Sequence, residues 1–155
     1  MQLSDMRIVI TGAASGMGRH FALALAQAGA KVAACDVNEE GLASLAEEAA
    51  SAEGELKTWV TNVADEASVE QLFDEAWAAF GSLNGLINNA GIIRDGLFIK
   101  KDKQTGEVRK FSLKKWQQVI DVNLTGPFPK CHLPVILAKG WRVATPPQRP
   151  PPPAM

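Results

Sequence analysis

The 155-residue sequence predicts an α/β fold: a doubly wound parallel sheet of about four strands in the order 3-2-1-4, cut short relative to a complete sheet of that class. Three observations carry this. Short apolar runs alternate with segments of helical periodicity three times, through short connections. A glycine pattern, Gly12-x3-Gly16-x-Gly18, stands between the first run and the first helical segment. An acidic residue, Asp36, closes the second run 18 positions after Gly18.

Each element follows from its own residues. Met6-Arg7-Ile8-Val9-Ile10 is a nearly continuous apolar run and reads as a buried strand feeding Thr11-Gly12-Ala13-Ala14-Ser15-Gly16-Met17-Gly18. From Gly18 to Ala28, Phe21, Ala22, Leu25 and Ala28 recur at helical spacing, and Gly29 supplies a left-handed stop. Lys31 to Asp36 is the second strand. Asn38 caps a helix with Glu39 and Glu40 in its first turn and Leu42, Leu45 and Ala49 on one face, ended by Gly54. Leu56 to Asn62 is the third strand. Asp65 caps a helix whose inward face is Val69, Leu72, Phe73, Ala76 and Phe80, before Gly81. Leu86 to Asn89 is a short fourth strand. Leu97–Lys101 and Glu107–Phe111 then read as a hairpin turning through Lys103-Gln104-Thr105-Gly106. Ser112 caps a last helix bearing Trp116, Val119, Ile120 and Asn123. Pro127, which has no N–H for the carbonyl of Asn123, predicts a break after Asn123, reinforced by Pro129 and Pro134.

Composition narrows the function classes. Net charge of −1 and a pI near 6.1 argue against nucleic acid or an anionic membrane as partner. No apolar run approaches the ~20 residues of a membrane span, and the first residues do not read as a secretion signal, so a soluble, cytoplasmic protein is expected. Cys35 and Cys131 have no metal-ligand spacing, and His20 and His132 no partners in sequence, so no metal site is expected. Residues 1–93 carry four Lys/Arg against thirteen Asp/Glu, whereas 94–155 carry twelve against four. Lys100 to Lys115 holds seven of those cations, which reads as a solvated hairpin. All nine prolines lie at or after Pro127, and six fall within 146–153. This divides the chain into an ordered domain over 1–140 and a proline-rich tail over 141–155, expected to be disordered.

The glycine pattern has a chemical meaning. Gly12, Gly16 and Gly18 let backbone approach a pyrophosphate, the helix that follows presents free N–H groups and the positive end of its dipole, and Ser15 and Met17, between those glycines, are candidate cofactor contacts. No Gly-Lys-Ser/Thr follows, which disfavours a phosphate loop of the kinase or GTPase kind. Asp36 can accept hydrogen bonds from an adenosine ribose and would repel a 2′-phosphate. With no Arg or Lys among Gly12–Gly18 or at Val37-Asn38, NAD is preferred over NADP.

Four pieces in this order, the Thr11–Gly18 stretch, Asp36, Asn88-Asn89-Ala90-Gly91, and Asn123 within Val122-Asn123-Leu124-Thr125-Gly126, resemble the short-chain dehydrogenase/reductase family over about residues 5–140. Arg94-Asp95-Gly96-Leu97 is similar to its 3-oxoacyl-carrier-protein reductase-like branch. The resemblance implies a Rossmann-type sheet, with Asn89, Ala90 and Gly91 beside the cofactor. Asn62 and Val63 stand where the family usually has Asp-Val against adenine, the change to Asn keeping an acceptor oxygen and losing a charge. Asn123 is implied as the catalytic-relay asparagine whose backbone carbonyl holds a water.

The same resemblance implies an oxidoreductase acting on a secondary alcohol or ketone, 3-oxoacyl substrates among them, through a Ser and a Tyr-x3-Lys pair. The sequence contains no tyrosine, and Gly140 to Pro150 stands where the serine-bearing strand should begin, Thr145 being the nearest hydroxyl. The chain alone is therefore expected to be inactive, and its end reads as that of a frameshifted or prematurely terminated reductase. A small-molecule substrate is expected only if another chain completes the site. The alternative is a non-catalytic nucleotide-binding or subunit-interaction fragment, associating with like or unlike chains.

Overall fold

The computed structural model describes residues 2–127. Expectations for Pro129, Cys131, His132, Pro134, Thr145, the domain boundary at 140 and the 141–155 segment lie outside them.

A four-stranded parallel sheet in the order β3-β2-β1-β4 is built from β1 (Arg7–Thr11), β2 (Lys31–Asp36), β3 (Glu55–Val60) and β4 (Gly85–Ile87). The expected order 3-2-1-4 is the observed one. Register runs Ile8↔Val32 between β1 and β2, Val32↔Leu56 between β2 and β3, and Ile8↔Gly85 between β1 and β4. Alternation along the strands feeds two cores. Ile8, Ile10, Val32 and Ala34 pack with α1 (Gly16–Gln27) and α2 (Glu39–Glu48) on one face, against Ala22, Ala26, Leu42 and Leu45. Val9, Ala33 and Cys35 face α3 (Glu66–Phe80) on the other, against Val69, Leu72, Phe73, Ala76 and Phe80. Fully buried side chains such as Ile10 and Leu72 each contribute roughly 1.5–3 kcal/mol of transfer free energy.

Chain punctuation is local. At the end of α1, Gly29 takes φ +87°, its N–H donates to Ala26 O (3.0 Å), and Ala30 N–H donates to Leu25 O (3.0 Å). This is the paired closure that a left-handed residue permits. The Asn38 side chain accepts from Gly41 N–H (3.0 Å) and starts α2. Asp65 and Ser112 sit at the predicted caps of α3 and α4 (Leu113–Ile120) but make no side-chain capping bond. The expectation that Gly54 ends α2 is corrected: the helix stops at Glu48 and a 3-10 turn over Ala49–Ser51 follows. Gly54 is instead a packing residue, since a Cβ there would run into Ala30 O, while its N–H donates to Ala26 O (2.9 Å).

The hairpin is present in shorter form, β5 (Ile99–Lys101) against β6 (Val108–Lys110), antiparallel. Its turn is set by Asp102, whose Oδ1 accepts from Gln104 N–H and Thr105 N–H (both 2.9 Å), which holds the carboxyl below its ordinary pKa. After α4 the backbone changes before Asn123, not after it. Asp121–Thr125 forms a π-helical turn, with Gly126 N–H reaching Asp121 O (2.7 Å), and Pro127 still has helical backbone. A wider turn is one way a helix absorbs a missing donor. On the β3 edge, Glu55 lies between Lys57 (2.8 Å) and Lys31 (3.3 Å), and its hydrogen bond with Lys57 is the largest of the causes holding its carboxyl below the ordinary value.

Candidate nucleotide site

The site lies at the C-terminal ends of β1, β2, β3 and β4, the side of a parallel sheet on which ligands bind in such folds. Thr11, the last residue of β1, is fully buried, and its Oγ1 accepts from Asn89 N–H (3.1 Å) and Ala90 N–H (3.0 Å). Asn89 returns the tie, its Nδ2 donating to Thr11 O (3.1 Å) and Gly12 O (3.2 Å). The end of β4 is thereby fastened across the start of the glycine loop.

Two glycines of that loop are required by geometry. Gly12 has φ +69°, and a Cβ on it would stand 2.8 Å from Ala90 Cα. A Cβ on Gly18 would collide with the carbonyl of Gly12 and approach Asn89 Nδ2 to 2.5 Å. Gly16, at φ +57°, has nothing within 4 Å of where a Cβ would project, so it faces open space. Ser15, extended at the N-cap, makes no side-chain capping bond, and Ser15, Gly16 and Met17 are exposed. The opening N–H groups of α1 thus keep their donors for an anion.

Asp36 ends β2 with both carboxylate oxygens placed: Oδ2 accepts from Ala14 N–H (3.1 Å) and Oδ1 from Asn38 N–H (3.1 Å). One lone pair on each oxygen remains for a ligand hydroxyl. A cleft opens beside it, lined by Gly12, Asp36, Val37, Thr61, Asn62, Val63, Ala90, Gly91, Ile92 and Val122. Asn62 turns its Oδ1 onto Ala64 N–H (3.0 Å) and donates its own N–H to Ser68 Oγ (3.1 Å). Val63 forms part of the buried floor.

The structure therefore gathers Gly12, Asp36, Asn62, Val63, Ala90 and Gly91 around one cleft. It places Ser15, Gly16, Met17 and Gly18 at the start of α1 and Asn89 beneath the glycine loop. Asn123 lines an adjoining depression with Ile92, Ile93 and Trp116. Its side chain pairs with one backbone unit, Oδ1 accepting from Ile92 N–H (2.8 Å) and Nδ2 donating to Ile92 O (2.9 Å). Sequence reasoning missed Thr11 as a fastener, although a buried hydroxyl closing the central strand is a signal for one. It also missed Thr61, Ile92 and Val122 as lining, which only tertiary closure brings to the cleft, and Arg19, whose partners lie on α2 and at Ala14 of the glycine loop. Among the described residues no cluster of His, Cys, Asp and Glu could hold a metal ion, and no helix is long and apolar enough to cross a membrane.

Comparison with known proteins gives a consistent result. Residues 6–136 match the family model for short chain dehydrogenases. The chain is 37% identical over 128 residues to a 3-oxoacyl-(acyl-carrier-protein) reductase of Thermotoga maritima, covering 83% of this chain and 48% of that protein. It is 36% identical to a D-threitol dehydrogenase of Mycolicibacterium smegmatis, covering 80% of this chain and 44% of that one. Among solved structures, a 3-ketoacyl-(acyl-carrier-protein) reductase of Brucella melitensis complexed with NADH superposes with a TM-score of 0.66 at 26% identity, over 85% of this chain and 50% of that one. A short-chain type dehydrogenase/reductase of Mycobacterium marinum reaches 0.74 at 27% identity, over 89% and 53%. The chain spans about half the length of these relatives.

Proposed function

The chain belongs to the short-chain dehydrogenase family, and from that premise we propose that it binds the adenosine side of a nicotinamide dinucleotide, NAD in preference to NADP. The observation that carries this reading is the convergence of Asp36, Gly12 and the Asn62–Val63 pair on one cleft beside the uncapped start of α1. Asp36 takes the ribose hydroxyls, and its charge opposes a 2′-phosphate. The glycine loop admits the pyrophosphate against the first N–H groups of α1. Asn62 and Val63 meet the adenine edge and face. Asn89 and Ala90 fasten the loop beside the cleft, and Gly91 lines it.

The chemistry a bound dinucleotide supplies is hydride transfer, to a ketone or from a secondary alcohol; 3-oxoacyl substrates are the class suggested by the Thermotoga and Brucella relatives. Asn123, tied to Ile92, contributes its backbone carbonyl to a proton path, and Pro127 has no N–H to occupy that carbonyl. This chain supplies no tyrosine to act as acid and base, so it binds without turning over alone. The second reading, a non-catalytic nucleotide-binding or interaction chain, is favoured by the exposed apolar side chains of Phe98, Ile99, Leu113 and Trp116 around the hairpin and α4.

Calorimetric titration with NAD, ADP-ribose and NADP tests the proposal. NAD and ADP-ribose are expected to bind alike and NADP more weakly; binding of none overturns it. Steady oxidation of NADH with a 3-oxoacyl thioester by the purified chain would refute the inactivity.

A further inference from the structure

We infer that Arg19 is a positioning residue for the carboxylate of Asp36, held in that role by its ion pair with Glu48; the inference rests on the nucleotide reading above. Arg19 lies on α1, one residue beyond the glycine loop, and spreads its guanidinium over α2. Its Nε and Nη2 donate to Glu48 Oε2 (3.2 and 2.7 Å), and Nη2 also donates to Ser44 Oγ (3.1 Å). Nη1 donates to the carbonyls of Gly41 (3.0 Å) and Ala14 (3.4 Å).

Those two carbonyls belong to residues that lead directly to Asp36. Ala14 donates its own N–H to Asp36 Oδ2. Gly41 donates its own N–H to Asn38 Oδ1, and Asn38 donates its N–H to Asp36 Oδ1. Both oxygens of the carboxylate are thus held by N–H groups whose residues are tied back to one guanidinium. The loop and α2 come close enough there that a Cβ on Gly41 would stand 2.8 Å from Ala14 Cβ. The planar fork of arginine bridges that contact with several donors at once, which a lysine ammonium does not reproduce.

Stability alone is a poor account of this arrangement. The Glu48 side chain is 54% exposed, and an ion pair with one partner so open to solvent contributes little net stability. The consequence falls on aim. A carboxylate held by two N–H groups meets ribose hydroxyls at fixed angles, and loosening the Ala14 and Asn38 supports lets it rotate away.

The test compares ADP with 2′-deoxy-ADP by calorimetry in the wild-type chain, Glu48→Gln and Arg19→Met. Wild type is expected to prefer ADP by about tenfold, the worth of one hydrogen bond to a charged acceptor. In both variants that preference is expected to shrink to about twofold. An unchanged preference in folded variants, with both nucleotides weakened together, would mean Arg19 is only structural and overturns the inference. Amide hydrogen exchange at Ala14 and Asn38 reads the same link without ligand. Faster exchange at both in Glu48→Gln supports it, and unaltered protection overturns it. Failure of wild type to bind ADP overturns the nucleotide reading instead, and the exchange measurement still decides the link.

Discussion

Replacing Thr11 by Val tests the fastening of the β4 end to the glycine loop, because Val keeps the shape of the side chain and removes only its hydroxyl, whose one donated bond, to Ile87 O, is long at 3.5 Å. In the structure Thr11 Oγ1 accepts from two N–H groups, Asn89 and Ala90. Asn89 N–H has a second partner in Ile87 O at 3.1 Å, so it keeps a bond; among the described residues no such second acceptor is seen for Ala90. The loss is therefore one orphaned donor and one weakened bond in a part-buried site, about 2 kcal/mol. For a domain of this size that corresponds to a melting temperature lowered by roughly 4–8 °C. Thr11→Ser is the companion variant: it keeps the acceptor and gives up a methyl group at about 1 kcal/mol. Thermal unfolding gives the size of each loss, and amide exchange gives its cause. Ala90 should exchange faster in Thr11→Val and not in Thr11→Ser. Equal protection of Ala90 in both variants would refute the reasoning, whatever their melting temperatures.

Other perturbations probe separate parts. Gly18→Ala, which drives a Cβ into Gly12 O and Asn89 Nδ2, should cost about 1–3 kcal/mol by overpacking. It should also weaken ADP-ribose binding, whereas Gly16→Ala, with open space but φ +57°, should cost about 1 kcal/mol by backbone strain; urea unfolding separates the two. Asn123→Asp keeps an acceptor for Ile92 N–H but sets a carboxylate against Ile92 O, and a loss of about 1 kcal/mol is expected by the same assay. Asp102 has a carboxyl pKa below its ordinary 3.8 in the folded hairpin, so its contribution to the turn is complete above that value and disappears as pH falls through the lower folded one. Exchange at Gln104 and Thr105 across an acid titration should follow that course, and Asp102→Ala should abolish the dependence.

The parts of this fold legible in the sequence are those set within a few residues. β2 is expected over Lys31–Asp36 and is found there, because the apolar run Val32–Cys35 is bounded by the turn at Gly29 and the cap at Asn38. Asn38 and Gly29 were legible as cap and stop, since each acts on N–H and carbonyl groups of its own turn. Gly54 was misread because its reason is distant: Ala26 and Ala30, not the end of α2, require it to be small. β3 was expected to reach Asn62 and ends at Val60, where the chain leaves the sheet to form the Asn62–Ala64 turn. The departure of the last helix was foreseen from Pro127 but placed too late, since the turn that widens begins at Asp121. For the site, glycines and Asp36 stood out by type and spacing. Arg19 did not, because its meaning comes from carbonyls of Ala14 and Gly41 that only the folded chain brings to it.

The place of β1 in the sheet has a consequence for the order in which the protein is made. β1 is synthesised before the other strands, yet it is flanked on both sides, Ile8 facing Val32 in β2 and Gly85 in β4. During translation at about 5–20 residues per second, the strand at the centre waits roughly 4–15 seconds for its second neighbour. Until Gly85–Ile87 emerge, one edge of β1 remains open to the surroundings. The interval in which a nascent chain most needs shielding is thus written into the distance between its first strand and its fourth.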